Sequence, residues 1–231
     1  MNKLQILFEN EEIRIINKPC GLAVQGGKDV KTSVDTELAM QTGEKIYPVH
    51  RLDKETAGIL VTAKNPKSAT KWTNLIGSKQ VKKQYHAICL GKLENSSGKF
   101  DISLIDKGIE KKAITFYKVI STVENITFQE NFSEKFSFSL VELTLETGRM
   151  HQIRKHLAQN KTPILADDKY GDFKLNKLLK KELGIKKLML LAKILEVNSP
   201  ETKKNFAPEG KIEIPYPEYF EQALEKLDLS H

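Results

Sequence analysis

The chain has 231 residues, enough for one large domain or two small ones, and either can bury a substantial core. Apolar residues make up 39% and charged residues 29%, ordinary values for a soluble globular protein. A net charge of +7 with a pI near 9.2 favours an anionic partner, and nucleic acid is the commonest one, although a lysine-rich composition alone could produce that charge.

Cys20 and Cys89 are too few for a disulfide framework and too isolated for a zinc site. Both stand in apolar surroundings and read as small core residues. The first nine residues lack the unbroken apolar stretch of a signal peptide, and no segment approaches the length of a membrane span. A cytoplasmic protein is expected.

In chain order, Ile13 to Asn17 reads as a strand, and Lys18-Pro19-Cys20-Gly21 closes it with turn chemistry. Ser33 to Thr42 suggests a short helix. Gly58 to Lys64 is apolar on both faces, which predicts a strand central to its sheet. Asn65 and Pro66 start a helix as N-cap and first-turn residues, with Trp72, Leu75 and Ile76 on its apolar face and Gly77 at its end. Val81 to Leu90 follows as a strand carrying Tyr85, and residues 94–99 read as a polar turn.

From Asp101 to Leu145 the pattern is mostly strand, with Phe116, Phe128, Phe132, Phe136 and Phe138 favouring it. Val141, Leu143 and Leu145 alternate on one face. After Gly148 the pattern turns helical to about Asn160, with Ile153 and Leu157 four apart on one face. Leu175 to Gly184 is an amphipathic helix, Lys187 to Val197 a strand, and Tyr219 to Leu229 a terminal helix. Strands and helices mix without strict βαβ alternation, so the fold class expected is α+β.

Only four of the 37 basic residues are arginines: Arg14, Arg51, Arg149 and Arg154. Arg51 stands beside Asp53 in His50-Arg51-Leu52-Asp53-Lys54-Glu55-Thr56-Ala57-Gly58, at the mouth of the apolar strand. Arg149 and Arg154 share Thr147-Gly148-Arg149-Met150-His151-Gln152-Ile153-Arg154. A lysine-rich chain has kept arginine where a planar, always-charged fork is most useful. Asp53 can be a nucleophile, a base or one end of a salt bridge, and local sequence leaves these open. Arg154 lies beside the core-facing stripe of its helix and needs an anionic partner, either a substrate phosphate or a carboxylate such as Asp53.

The segment from His50 to Lys64 resembles the catalytic motif of the RluA-type pseudouridine synthases. Residues 16–22, 83–87, 147–156 and 163–171 are similar to further segments of that family, in the same order. The resemblance runs from residue 13 to about 197. It implies a single catalytic domain with a mixed, largely antiparallel sheet in two lobes flanked by helices. It also implies an enzyme that isomerises uridine in RNA to pseudouridine.

Asp53 matches the essential aspartate, Tyr85 the tyrosine that stacks on the flipped base, and Arg154 the arginine paired with the catalytic aspartate. Arg51, Arg149, His151 and Gln152 fall at motif positions that line the RNA-binding cleft. Isomerisation changes no redox state and uses no group donor, so no cofactor or metal is expected; the histidines (His50, His86, His151, His156 and His231) have no metal-ligand spacing. Ala57, Met150 and Ala166 depart from the family's usual residues without removing a catalytic group, and Leu191 replaces a histidine common at its position, so no RNA contact is expected from that strand.

The chain begins directly at the catalytic fold, so no separate S4-like domain is expected. RNA is the expected partner and a monomer the expected state. Large-subunit ribosomal RNA is favoured over tRNA because residues 21–27 look closer to that branch. A non-catalytic RNA-binding or ribosome-assembly factor with the same fold is the rival class. A carboxylate-pair glycoside hydrolase is disfavoured, because Asp53 has no evident acidic companion. Lys177, Lys180, Lys181, Lys186 and Lys187 form a basic face, read first as solvated surface.

Overall fold

A computed structural model describes residues 3–27, 30–106, 108–128, 135–207 and 210–229. Phe132 and His231 lie outside the described residues. The elements are β1 (Gln5–Glu9), β2 (Ile13–Lys18), α1 (Val34–Thr42), β3 (Tyr47–Pro48), β4 (Ala57–Ala63), α2 (Pro66–Gly77) and β5 (Val81–Leu90). There follow β6 (Ser97–Asp101), β7 (Leu104–Asp106), β8 (Ile109–Lys111), β9 (Ile114–Ile126) and β10 (Phe136–Leu145). The remainder is α3 (Gln152–Gln159), α4 (Phe173–Glu182), β11 (Leu190–Val197), α5 (Pro200–Lys203), β12 (Lys211–Glu213) and α6 (Glu218–Lys226). The class is α+β, as the sequence pattern predicts, and the pairing is mostly antiparallel, as the resemblance implies. No helix among the described residues is long and apolar enough to cross a membrane.

The chain forms two compact units, Met1–Lys83 with Leu191–Pro215 and Gln84–Leu190 with Tyr216–His231. In the first unit β4 is buried at every position. It pairs antiparallel with β2 and with β3, and parallel with β11. Ile13, Ile15 and Ile16 of β2 are fully buried beside it. Asn65 caps α2 by accepting from the Ser68 N–H at 2.8 Å, and α2 buries Trp72 and Leu75. Trp72 packs on Phe206, whose ring lies 5.9 Å away, and donates its indole N–H to Glu12.

Gly58 decides how closely two of these strands meet. Its φ is +109°, and a Cβ there would lie 2.3 Å from the Ala192 carbonyl oxygen on β11. Backbone cannot yield as a flexible side chain can. Gly58→Ala is therefore expected to cost about 3 kcal/mol or more. Gly43→Ala, at a left-handed cap with open space around it, should cost only about 1 kcal/mol. Urea midpoints of the two variants check this, and similar shifts would contradict it.

In the second unit β10 pairs antiparallel with β5 on one side and β9 on the other, and β6 adds to β9. Phe138, Leu140, Val141 and Leu143 are fully buried. Residues on both faces of β10 are thus covered, and Leu145, expected inward, is only half-buried. Ile153 and Leu157 of α3 and Phe220, Ala223 and Leu224 of α6 add to this core. Strand β6 begins at Ser97, inside the stretch 94–99 whose polar composition suggested a turn, because β9 supplies an edge for it to pair with.

Candidate active site

In the first unit, residues 51–56 connect β3 to β4. Arg51 is exposed, Leu52 buried and Asp53 half-buried, so Leu52 anchors the loop while the charged residues on either side stay accessible. The Asp53 carbonyl accepts from the Thr56 N–H at 3.1 Å, closing a tight turn. The next carbonyl, that of Lys54, accepts from the Gly21 N–H at 2.9 Å and from the Lys18 ammonium at 3.0 Å.

His50 fixes the loop's other end. Its Nε2 accepts from the Val61 N–H at 3.1 Å, so the ring proton is on Nδ1. Burial, with the nearby Lys83 charge, holds its pKa well below the ordinary value. His50 is a neutral brace.

The second unit carries Tyr85, Arg149, His151, Gln152 and Arg154. Tyr85 is buried on β5 opposite Leu143. Thr147 to His151 form a turn ahead of α3, so the helix starts later than the sequence pattern implies. His151 takes the left-handed conformation there, with φ 54°, and its Nδ1 lies 3.1 Å from the Tyr170 hydroxyl.

Gln152 is buried, and both ends of its amide are used. Its Oε1 accepts from the Thr147 hydroxyl at 2.7 Å and the Arg149 N–H at 3.0 Å. Its Nε2 donates to the Ile114 carbonyl and the Thr115 hydroxyl, both at 2.9 Å. Gln152 thus holds the backbone of Arg149, whose side chain is half-buried and donates to the Lys112 carbonyl.

Arg154 is buried, as the helical stripe predicts. Its Nε and Nη2 bind the two oxygens of Asp167, each at 2.7 Å, and Nη2 also reaches Asp168 at 3.2 Å. Its guanidinium lies 5.3 Å from the Tyr170 ring centre. Asp167 Oδ1 accepts the N–H groups of Lys169 and Tyr170 as well, both at 2.9 Å. Burial alone would raise the Asp167 carboxyl; the Arg154 fork and these two N–H groups overcome it and hold the pKa below the carboxylate range. Asp167 turns the chain, as its place before Tyr170-Gly171 suggests, and the same carboxylate is also a partner of Arg154.

Arg51 and Asp53 therefore share one loop in the first unit, and the four motif residues from Arg149 to Arg154 share one turn and helix in the second. Two groups escaped the sequence reading as site residues. Asp167 was legible only as a turn residue, although an inward arginine 13 positions earlier demanded a carboxylate. Lys18 was legible only as part of a turn, because nothing local says that its side chain folds inward.

Comparison with known proteins matches residues 12–159 to the family described as RNA pseudouridylate synthase. Ribosomal large subunit pseudouridine synthase C of Rickettsia conorii is 35% identical, over 95% of this chain and 70% of that protein. tRNA pseudouridine synthase C of Vibrio vulnificus is 31% identical, over 95% of each. Among solved structures, Human RNA Pseudouridylate Synthase Domain Containing 4 aligns with a TM-score of 0.75 and 28% identity. That alignment covers 98% of this chain and 94% of the human one.

Proposed function

This chain belongs to the RNA pseudouridylate synthase family and is an RNA pseudouridine synthase, and we propose that Asp53 drives the isomerisation, with large-subunit ribosomal RNA as its main substrate. The observation that carries the assignment is the turn at Asp53. The carboxylate sits half-buried on a loop whose Asp53 and Lys54 carbonyls are both hydrogen-bonded, so its position is set before substrate arrives.

The target uridine leaves its stack at a cost of about a few kcal/mol, offset by cationic side chains on the RNA backbone. Asp53 attacks or deprotonates the ribosyl uracil. The C1′–N1 bond breaks, the uracil turns, and a bond forms from C1′ to C5. The C5 proton is lost and N1 gains one, so atoms balance without a cofactor.

Tyr85 stacks on the base and assists removal of the C5 proton. Arg154 supplies a positive charge to the reaction, and Asp167 keeps that guanidinium in place. Arg51, Arg149 and His151 contact RNA, and Gln152 contributes through the Arg149 turn. The protein acts as a single catalytic domain and a monomer in the cytoplasm, without a metal.

The substrate class follows from residues 21–27, which look closer to the large-subunit branch. The two relatives carry names for ribosomal RNA and tRNA respectively, so tRNA is the second reading. Tritium release from uracil-C5-labelled RNA tests the choice. Unmodified large-subunit ribosomal RNA should release tritium faster than bulk tRNA, and the reverse order would assign tRNA. RNA binding with no release from either would favour a non-catalytic RNA-binding factor.

A further inference from the structure

We infer that the outer face of α4 is an RNA-binding surface, with its lysines on phosphates and Phe173 stacked on a base of the single-stranded flank of the target uridine. The inference rests on the RNA reading above and not on the role of Asp53. Residues 173–182 lie outside every segment that carries the family resemblance.

With about 3.6 residues per turn, α4 has two distinct sides. Leu175 and Leu179 are buried on one. The opposite arc collects Phe173, Lys174, Lys177, Lys180 and Lys181, all exposed, and no acidic residue. Glu182, the one carboxylate within the helix, is half-buried and pairs with Lys181 at 3.0 Å. Among the described residues, no carboxylate pairs with Lys174, Lys177 or Lys180.

Helix stability does not account for this arc. Like charges three and four apart repel along a helix, as Lys177 does with Lys174, Lys180 and Lys181. Lys180 and Lys181 suit the last turn, but Lys174 stands in the first, where the helix dipole disfavours a cation. Phe173 leaves its ring 65% exposed beside these charges. An aromatic face next to a row of cations is the arrangement that binds single-stranded nucleic acid. A membrane surface would take the apolar side of such a helix, and here that side is already buried.

The helix is also fixed to the candidate site. Asn176 donates to the Asp167 carbonyl and accepts from the Ala166 N–H, both at 2.9 Å. The Asp167 carboxylate in turn holds Arg154. A Cβ on Gly171 would lie 2.4 Å from the Asp167 carbonyl oxygen and 2.8 Å from the Asn176 amide nitrogen, so this joint is tightly packed. Phe173 is at the near end of α4, and Lys181 lies about 12 Å further along. Phosphates flanking a uridine held near Arg154 can follow that row.

Single-turnover tritium release from C5-labelled RNA, measured against protein concentration and salt, separates binding from chemistry. The probes are unmodified large-subunit ribosomal RNA and bulk tRNA. The triple variant Lys174→Gln/Lys177→Gln/Lys180→Gln should raise the half-saturating concentration about tenfold. Its slope of log affinity against log salt should be shallower by about two, because each single-strand phosphate contact contributes about 0.7. The rate at saturating protein should stay within about twofold. Phe173→Ala should weaken binding about fivefold or more without changing the salt slope.

The control replaces Lys3, Lys67 and Lys204, exposed lysines of the first unit, with Gln and should stay within about twofold of wild type. A triple variant that binds like wild type or like the control overturns the inference, as does wild-type affinity in Phe173→Ala. Filter binding to the same RNAs reads affinity without turnover. A wild type that binds but releases no tritium would therefore sink the enzyme reading, while the variants still decide the role of α4.

Discussion

Asp167→Asn is expected to lower the stability of the folded protein by about 3 kcal/mol or more, while Asp168→Asn changes it by about 0.5 kcal/mol or less. The two carboxylates are adjacent and touch the same guanidinium, yet their surroundings differ completely. The Asp167 side chain is 0% exposed and that of Asp168 is 80% exposed. Removing the buried charge leaves Arg154 desolvated beside an amide, one end of which cannot accept its protons. It also weakens the acceptor for the Lys169 and Tyr170 N–H groups. Losing the exposed charge lets water replace one oxygen at 3.2 Å. Urea titration of both variants separates these cases, and equal shifts would contradict the buried-pair account.

The same carboxylate sets a pH dependence. Its folded pKa lies below the ordinary 3.8, so the unfolded chain takes up its proton first as pH falls. Stability from Asp167 is complete above its unfolded value and is lost as pH drops through the lower folded one. The Asn variant should lack that part of the acid-side slope.

The largest effect on activity is expected from Asp53→Asn. The substitution keeps the volume of the side chain but removes both its negative charge and its capacity to take a proton. Turnover should fall by about 10³-fold or more, as for loss of a principal catalytic group elsewhere. RNA affinity should stay within about threefold of wild type, because binding comes mainly from cationic contacts to phosphate. Leu52 and the neighbouring carbonyl bonds hold the loop, so no loss of fold is expected. A parallel drop in affinity and rate would instead mean that the substitution disturbs the loop.

Local chemistry made much of the fold legible in the sequence. Asn65 and Pro66 announce α2, because capping acts within one turn of chain. The apolar run of β4 announces a central strand, because burial on both faces leaves no alternation. Elements that depend on a partner were harder. β1 is mostly exposed or half-buried and carries little periodic signal, and it forms by pairing with β2. β6 is polar apart from Phe100 and exists because β9 offers an edge.

The site divides in the same way. Asp53, Tyr85 and Arg154 stand out through motif resemblance, and the helical stripe correctly turns Arg154 inward. The carboxylate on Arg154 and the lysine beneath the Asp53 loop are set by tertiary folding. Sequence spacing does not encode where a long side chain ends.

The central claim is that Asp53 drives a uridine isomerisation, and one comparison tests it most directly. Tritium release from C5-labelled RNA should be measured under single-turnover conditions for wild type and Asp53→Asn, each at saturating protein. Release by wild type with none above background from the variant, at similar RNA occupancy, is the predicted result. Equal release by both proteins would contradict the assignment of Asp53 and require another group to carry the chemistry.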